Sequence, residues 1–260
     1  MQYRLIDRPQ LKAESKQLLH TAAVPPIFMA LLYLGIEQVL NLVAGFFDVR
    51  IEFDPTNILY GGFSVTRLPG ITSLFVTILI SLVMCLLSAG FTCYCLGVRR
   101  GERMPYSTLF EAFSFAGKVI ALTLVMGVFV ALWSLLFVIP GIVAVYRYSF
   151  AMFYLCENPE RGVMECLNLS KQNTRGYKWQ YCILELSFVG WYLLVGVVCS
   201  LAALVPVIGT ALSVLLNLAC NMLLAPYFQL TQAGFFLQAT APIEPAGPTE
   251  PPHESWTPEF

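Results

Sequence analysis

The sequence predicts an all-α fold: a polytopic membrane protein of six transmembrane helices arranged as hairpins, each hairpin preceded by an amphipathic interfacial helix. Three observations lead there. Hydrophobic residues make up 57% of the 260 and charged ones only 12%, whereas a soluble domain carries about a quarter charged. Six apolar stretches come close to or exceed the roughly 20 residues a helix needs to cross a hydrocarbon core. Of the fifteen Lys and Arg residues, all but Arg50, Arg67 and Arg147 fall in three segments, 4–16, 99–118 and 161–178, which an even alternation of spans brings to one side. Basic connectors stay on the cytoplasmic side, so both termini are expected there.

The elements follow in order. Residues 1–20 read as a cytoplasmic amphipathic segment, with Arg4, Arg8, Lys12 and Lys16 interleaved with Leu11 and Leu18. The apolar run behind it, Ala22 to Phe47, exceeds a signal-peptide core and has no small-x-small cleavage site, so it is taken as the first span of a transmembrane domain over 21–238. A polar outer loop, 48–70, carries Asp48, Glu52 and Asp54. The second span is Ile71 to Val98, followed by an inner interfacial helix over 104–115. Spans three and four, Gly117 to Ile139 and Gly141 to Glu157, meet at a tight Pro140-Gly141 turn; Pro removes a donor there and Gly supplies unusual backbone angles. A second inner helix over 159–175 has Asn158 to cap it, Pro159 at its first position and Gly176 to stop it. On it Val163, Met164, Leu167 and Cys166 share one face. Spans five and six, Tyr181 to Leu204 and Val207 to Leu230, are joined through Pro206 to Gly209. The tail over 239–260, with Pro242, Pro245, Pro248, Pro251, Pro252 and Pro258 among acids, is expected to be disordered or polyproline-like.

A repeat underlies this order. Pro105 to Phe113 matches Pro159 to Leu167 in its Pro, apolar pair, Glu111 or Glu165, and trailing apolar residue. The segment from Pro9 to Leu19 has a similar character, which suggests three units of one interfacial helix and one hairpin.

Charges inside spans are costly, about 2.5 to 3.5 kcal/mol each at a helix centre, so each needs a reason. Counting along the helical rise places Glu37 and Arg147 at comparable depth, and an ion pair between them, joined by Asn217, is expected. Ser213, Asn217 and Asn221 recur every four residues as one polar stripe. Together these five form a candidate intramembrane polar site between spans one, four and six, which either carries a solute or clasps the spans. Glu185 is expected to be a satisfied boundary carboxylate that reaches either Lys118 or the inner aqueous edge.

Enzyme chemistry finds little support. The histidines are His20 and His253, and the aspartates, Asp7, Asp48 and Asp54, all lie outside the spans. No metal site, no cofactor and no catalytic residue is therefore expected. The eight cysteines read as reduced apolar fillers, Cys93 and Cys95 included. A basic nucleic-acid footprint is absent from the charge pattern.

Family-like motifs run through the second half: Pro140-Gly141-Ile142, Tyr146-Arg147-Tyr148-Ser149, Ser170-Lys171, Gly176-Tyr177-Lys178-Trp179, Ser187-Phe188-Val189-Gly190-Trp191, and Ala225-Pro226-Tyr227-Phe228 with Thr231 and Phe235. They resemble the bacterial multi-pass family known as domain of unknown function 975, over most of residues 105–237. The resemblance implies a bacterial cytoplasmic-membrane protein with no established activity; Phe236 departs from it, since similar members often carry Tyr there. The shared residues look structural first. Trp179 and Tyr177 suit the membrane interface, Trp191 is expected to pack at depth with Ser187 as its partner, and Pro226 should free the Met222 carbonyl and kink span six. The expected function is that of a non-enzymatic accessory or interaction subunit of an exporter or envelope system, partnered by membrane lipids and other membrane proteins. The alternative is a small-molecule, ion or lipid transporter.

Overall fold

The computed structural model describes residues 6–22, 24–48, 50–53, 63–66, 70–205 and 208–241. Among these, six helices are long and apolar enough to cross a membrane: Pro26–Gly45, Ser73–Arg99, Tyr106–Leu136, Ile139–Glu157, Lys178–Ala203 and Ala211–Thr240. The turn residues Pro206 and Val207 and the Pro-rich tail beyond Ala241 lie outside the described residues, as do Arg4 and Arg67.

Helix α1 (Arg8–Thr21) leads into α2 (Pro26–Asp48), and the outer loop then holds a short antiparallel ribbon that the sequence reading took simply as polar loop. Its strands β1 (Arg50–Phe53) and β2 (Phe63–Thr66) pair Arg50 with Thr66 and Phe53 with Phe63. Helix α3 (Ile71–Arg99) returns to the end of the molecule that carries α1, here termed the base. It ends in a Schellman motif: Gly101 takes φ +81°, its amide donates to Val98 O, and the Glu102 amide donates to Gly97 O. The inner element expected over 104–115 is a 3-10 helix, Tyr106–Phe115, pressed against α3. A Cβ on Gly90 would lie 2.0 Å from the Leu109 carbonyl oxygen, so only glycine permits this approach.

The second hairpin is α4 (Ala116–Leu136) and α5 (Val138–Tyr148). Its turn falls one step earlier than the proline predicts. Phe137 is the extended residue, and Pro140 sits within the first turn of α5, where a helix has no use for its missing amide. Gly141 has no positive φ; it is needed because a Cβ there would lie 2.2 Å from Ser134 Oγ on α4. The fourth span is then interrupted at Ser149 and Phe150 before α6 (Ala151–Glu157).

That interruption is closed by α7 (Val163–Asn173). The Ser170 hydroxyl donates to Arg147 O at 2.9 Å and accepts the Phe150 amide at 3.2 Å, so one buried side chain satisfies both backbone groups at the break. Thr174 adds a second donor to Arg147 O at 3.3 Å. Helix α7 begins at Val163 rather than at Pro159, because Asn158 Oδ1 accepts the Glu160 amide and holds residues 158–161 in a separate turn. Its buried face is Cys166, Leu167 and Ser170, while Met164, expected on that face, is exposed. Gly176, at φ +87°, reverses the chain into α8 (Lys178–Ala203), as the sequence predicts. Helix α9 (Gly209–Thr240) runs through the buried Pro226 and continues ten residues beyond the expected end at Leu230.

Burial is concentrated at the base. In α8 the buried residues are Tyr181, Leu184 and Phe188, all in its first half. In α9 none is buried between Ala211 and Ala225, whereas Pro226, Leu230, Thr231 and Ala233 to Phe236 are. Helix α4 buries only Val119 and Leu122, and α3 is continuously buried only near its basal end. Phe236 lies at the centre of the basal core, with ring centroids 5.4 Å from Phe150, 5.1 Å from Phe153 and 5.0 Å from Tyr154. The far halves of the hairpins expose apolar surface, Leu135 at 86% and Leu193 at 65% among it.

The cysteines are not all free. Helix α6 packs on α3 and brings Cys93 and Cys156 within 5.1 Å at Cα, where they form a disulfide. Cys85, Cys95, Cys166, Cys182, Cys199 and Cys220 remain thiols.

Ser170→Ala should lower thermal stability in detergent by about 1–3 kcal/mol, the usual penalty for orphaned buried backbone groups. Thr174→Val should cause a smaller loss, since Arg147 O keeps its Ser170 donor. Equal losses for the two variants would show that Ser170 does not close the break.

Candidate functional site

The five residues expected to form one intramembrane site fall into two places. On α9, Ser213 and Asn217 line a cavity of about 360 Å³ together with Gln38 of α2 and Cys199, Ser200 and Ala203 of α8. The Asn221 amide donates to both the carbonyl and Oδ1 of Asn217, at 2.9 Å each, so the stripe exists and is bonded along its own helix. Glu37 neighbours this wall on α2 and acts on Tyr33, one turn earlier.

Arg147 is elsewhere. Among the described residues the ion pairs are Arg99–Glu14, Arg100–Glu157 and Arg161–Glu157, and the expected Glu37–Arg147 pair is not formed. Equal depth does not make neighbours: α5 packs mainly on α4, α7 and α8, whereas α2 packs mainly on α3 and α9. There Arg147 lies 5.8 Å from the Tyr148 ring centroid and lines a cleft with Trp133, Ile139, Pro140, Val143 and Ala144.

The densest polar contacts lie at the base, and the sequence reading missed most of them. Glu14 of α1 accepts from Arg99 of α3 at 2.9 Å, and the Arg99 side chain is only 7% exposed. The guanidinium rests on Gly234 of α9: a Cβ there would sit 2.2 Å from Arg99 Nε. Around the pair is a cavity of about 500 Å³ lined by Gln17, Leu18, Thr21, Leu237 and Gln238. Lys12 donates to Ser187 Oγ at 2.6 Å and stands 4.6 Å over the Phe188 ring, while burial first and the Arg8 charge second pull its ammonium below the usual lysine range. Gln229 donates to Thr92 at 2.7 Å, tying α9 to α3.

Glu185 is satisfied, but not through Lys118. Its carboxylate accepts from Gln232 at 3.0 Å and interacts with Tyr146 and Tyr181, whereas Lys118 donates to the Pro159 carbonyl at 2.6 Å. One signal for this network was present in the sequence: Gln229 and Gln232, three apart, are amides in an otherwise apolar run. For Gly234 beneath Arg99 no sequence signal exists, because the contact joins two helices remote in the chain.

The motif residues divide by role. Ser170 and Gly176 shape the break and the turn after it. Phe188 is buried between Tyr227 at 5.2 Å and Phe228 at 5.1 Å, which locks α8 to α9. Trp179 stands 72% exposed at the start of α8. Trp191, expected to pack at depth against Ser187, is 57% exposed instead, and Ser187 is engaged by Lys12 and by the Leu184 carbonyl. Around Gly190 there is open space, and nothing in the structure explains it.

These features define a class, an integral helical membrane protein with a polar, packed base and apolar hairpins. Residues 135–242, less than half of the chain, match the family model described as protein of unknown function (DUF975), and over that stretch the chain is similar to the family. The match begins at the end of α4 and takes in α5 to α9, including the Ser170 closure. No curated protein and no solved structure matches the chain.

Gly234→Ala should destabilise the protein by about 1 kcal/mol by displacing Arg99, the size usual for coupled neighbours. The same change made in an Arg99→Ala background should have almost no further effect. Additive losses in the double variant, read by thermal unfolding, would mean that the glycine answers to some other contact.

Proposed function

We propose that this chain is a non-enzymatic protein of a bacterial cytoplasmic membrane that acts through lipids and other membrane proteins, as an accessory subunit of an exporter or envelope system. The uneven burial carries the reading. A protein that folded only for its own sake would bury its spans against one another along their length, whereas here the far halves of the hairpins have apolar faces that the described residues leave uncovered. In a bilayer those faces meet lipid or the helices of a partner, and helix association there depends on such open surface. The basic base sits in the cytoplasm under the same reading, with both termini, in keeping with the positive-inside rule.

A second reading, transport, is favoured by one observation: the cavity lined by Gln38, Ser200, Ser213 and Asn217 between the first and third hairpins. Amides and hydroxyls inside a membrane serve solute passage as well as packing. Arg147 takes no part in it.

A photo-crosslinking side chain placed at Leu135, Leu193 or Leu215 should yield adducts with a small, repeatable set of membrane proteins in native membranes. Adducts with phospholipid alone at all three positions would sink the accessory reading. Labelling of a cysteine at position 217 by impermeant thiol reagents from both sides of the membrane would establish the transport reading in its place.

A further inference from the structure

Three cations converge where α5, α7 and α8 meet. Arg147 lies in the last turn of α5, which packs on both α7 and α8; Arg175 follows Thr174, whose hydroxyl stands 3.3 Å from the Arg147 carbonyl oxygen, and Lys178 opens α8. Among the described residues, none of the three makes an ion pair. Three nearby carboxylates are otherwise engaged: Glu157 holds Arg100 and Arg161, Glu165 faces the Gly162 amide at the start of α7, and Glu185 receives Gln232. Asp7, whose neighbour Ile6 donates to Gln180 on α8, forms no ion pair among the described residues. Helices α4 and α5 carry no carboxylate. The N-terminus of the 26-residue helix α8 adds its own positive end at Lys178.

An apolar receptacle adjoins this charge. Arg147 closes one end of a cleft of about 200 Å³ whose other walls are Trp133, Ile139, Pro140, Val143 and Ala144. Trp133, Ile139 and Val143 are exposed, so the cleft opens to the surroundings of the bundle. Trp179, beside Lys178, is exposed as well and suits the level of lipid headgroups.

We propose that this place binds one anionic phospholipid, with the phosphodiester held by Arg147, Arg175 and Lys178 and the first part of an acyl chain laid in the cleft between α4 and α5. The inference rests on the membrane reading above and names a lipid for it. Uncompensated cations beside an apolar slot select a ligand that joins a net negative headgroup to a hydrocarbon; the choline cation of a zwitterionic lipid cancels its phosphate charge, and free phosphate has no hydrocarbon.

The full chain, purified in mild detergent and studied by native mass spectrometry with added dioleoylphosphatidylglycerol or dioleoylphosphatidylcholine, provides the test. The wild type should retain the phosphatidylglycerol preferentially. Arg147→Gln, Arg175→Gln and Lys178→Gln should each lower its affinity about fivefold, the effect of about 1 kcal/mol per cation at an anionic lipid surface. Arg147→Lys should keep most of the binding, which separates charge from misfolding. Val143→Trp, which fills the cleft and leaves the cations in place, should weaken binding of the diacyl lipid but not of glycerophosphoglycerol. Neutralising Arg8 and Lys16 instead should change nothing. Equal retention of the two lipids, an equal effect from the Arg8 and Lys16 changes, or displacement of the lipid by millimolar inorganic phosphate would overturn the site. Crosslinks from Leu135, Leu193 and Leu215 should persist in the Arg147→Gln variant, so the loss of lipid selectivity and the loss of protein partners are read separately.

Discussion

A broken helix inside an apolar layer must have its loose backbone groups satisfied by the protein, because the surroundings offer no water to do it. Here the break at Ser149 and Phe150 is closed by Ser170, which serves the Arg147 carbonyl and the Phe150 amide at once. Much of the base follows from that closure. It lets α6 turn into the core, carries Cys156 to Cys93 on α3, and sets Phe150 and Phe153 around Phe236. A continuous fourth helix would leave α7 no broken backbone to dock on.

The charges at the base are arranged to match. Arg99 is deeply buried and has both a carboxylate and a glycine floor; Arg100 and Arg161 share Glu157. An unpaired guanidinium at the burial of Arg99 would carry a large desolvation penalty, so Gly234 matters by letting the pair form at all. Among the described residues Arg147, Arg175 and Lys178 have no such partner, and their half-exposed or, for Arg175, exposed positions allow it. The contrast between paired and unpaired cations within one end of the molecule sets the structural clasps apart from a surface available to a ligand.

What the sequence disclosed, it disclosed through composition and local chemistry. The six spans and the stop at Gly176 follow from hydropathy and from the one backbone angle that glycine adopts freely. The Asn217 and Asn221 contact follows from a spacing of four on a helix. The failures share a cause: each needed a contact between distant segments. Matching Glu37 with Arg147 by depth required α2 and α5 to be neighbours, and they pack mainly on different helices. Trp191 was assigned to the interior by its size, yet its face of α8 lies outside the core. The cysteine pair is separated by 63 residues, and only the packing of α6 on α3 unites it. Pro140 marks a hairpin correctly but acts from inside the first helical turn, where a missing amide goes unnoticed.

The repeat gains meaning from where its members differ. In element order a short basal helix precedes each hairpin three times: α1, the 3-10 helix, and α7. The last two start from similar sequence, yet Tyr106–Phe115 winds as a 3-10 helix and Val163–Asn173 as an α-helix. The 3-10 helix buries Thr108, Leu109 and Ala112, and Gly90 lets the Leu109 backbone reach α3. Helix α7 buries Cys166, Leu167 and Ser170 at the same relative spacing, so the two segments differ in winding and in what they touch, not in the order of their buried positions. Counting from the two prolines, the position of Ser170 corresponds to Ala116 in the earlier unit. The span before the 3-10 helix, α3, is unbroken and leaves no interior backbone groups to satisfy, so a methyl group suffices there. The hydroxyl occurs in the unit whose preceding span is interrupted. Two segments of similar sequence thus fit different partners, one a straight helix through the missing side chain of Gly90 and the other a broken helix through the Ser170 hydroxyl.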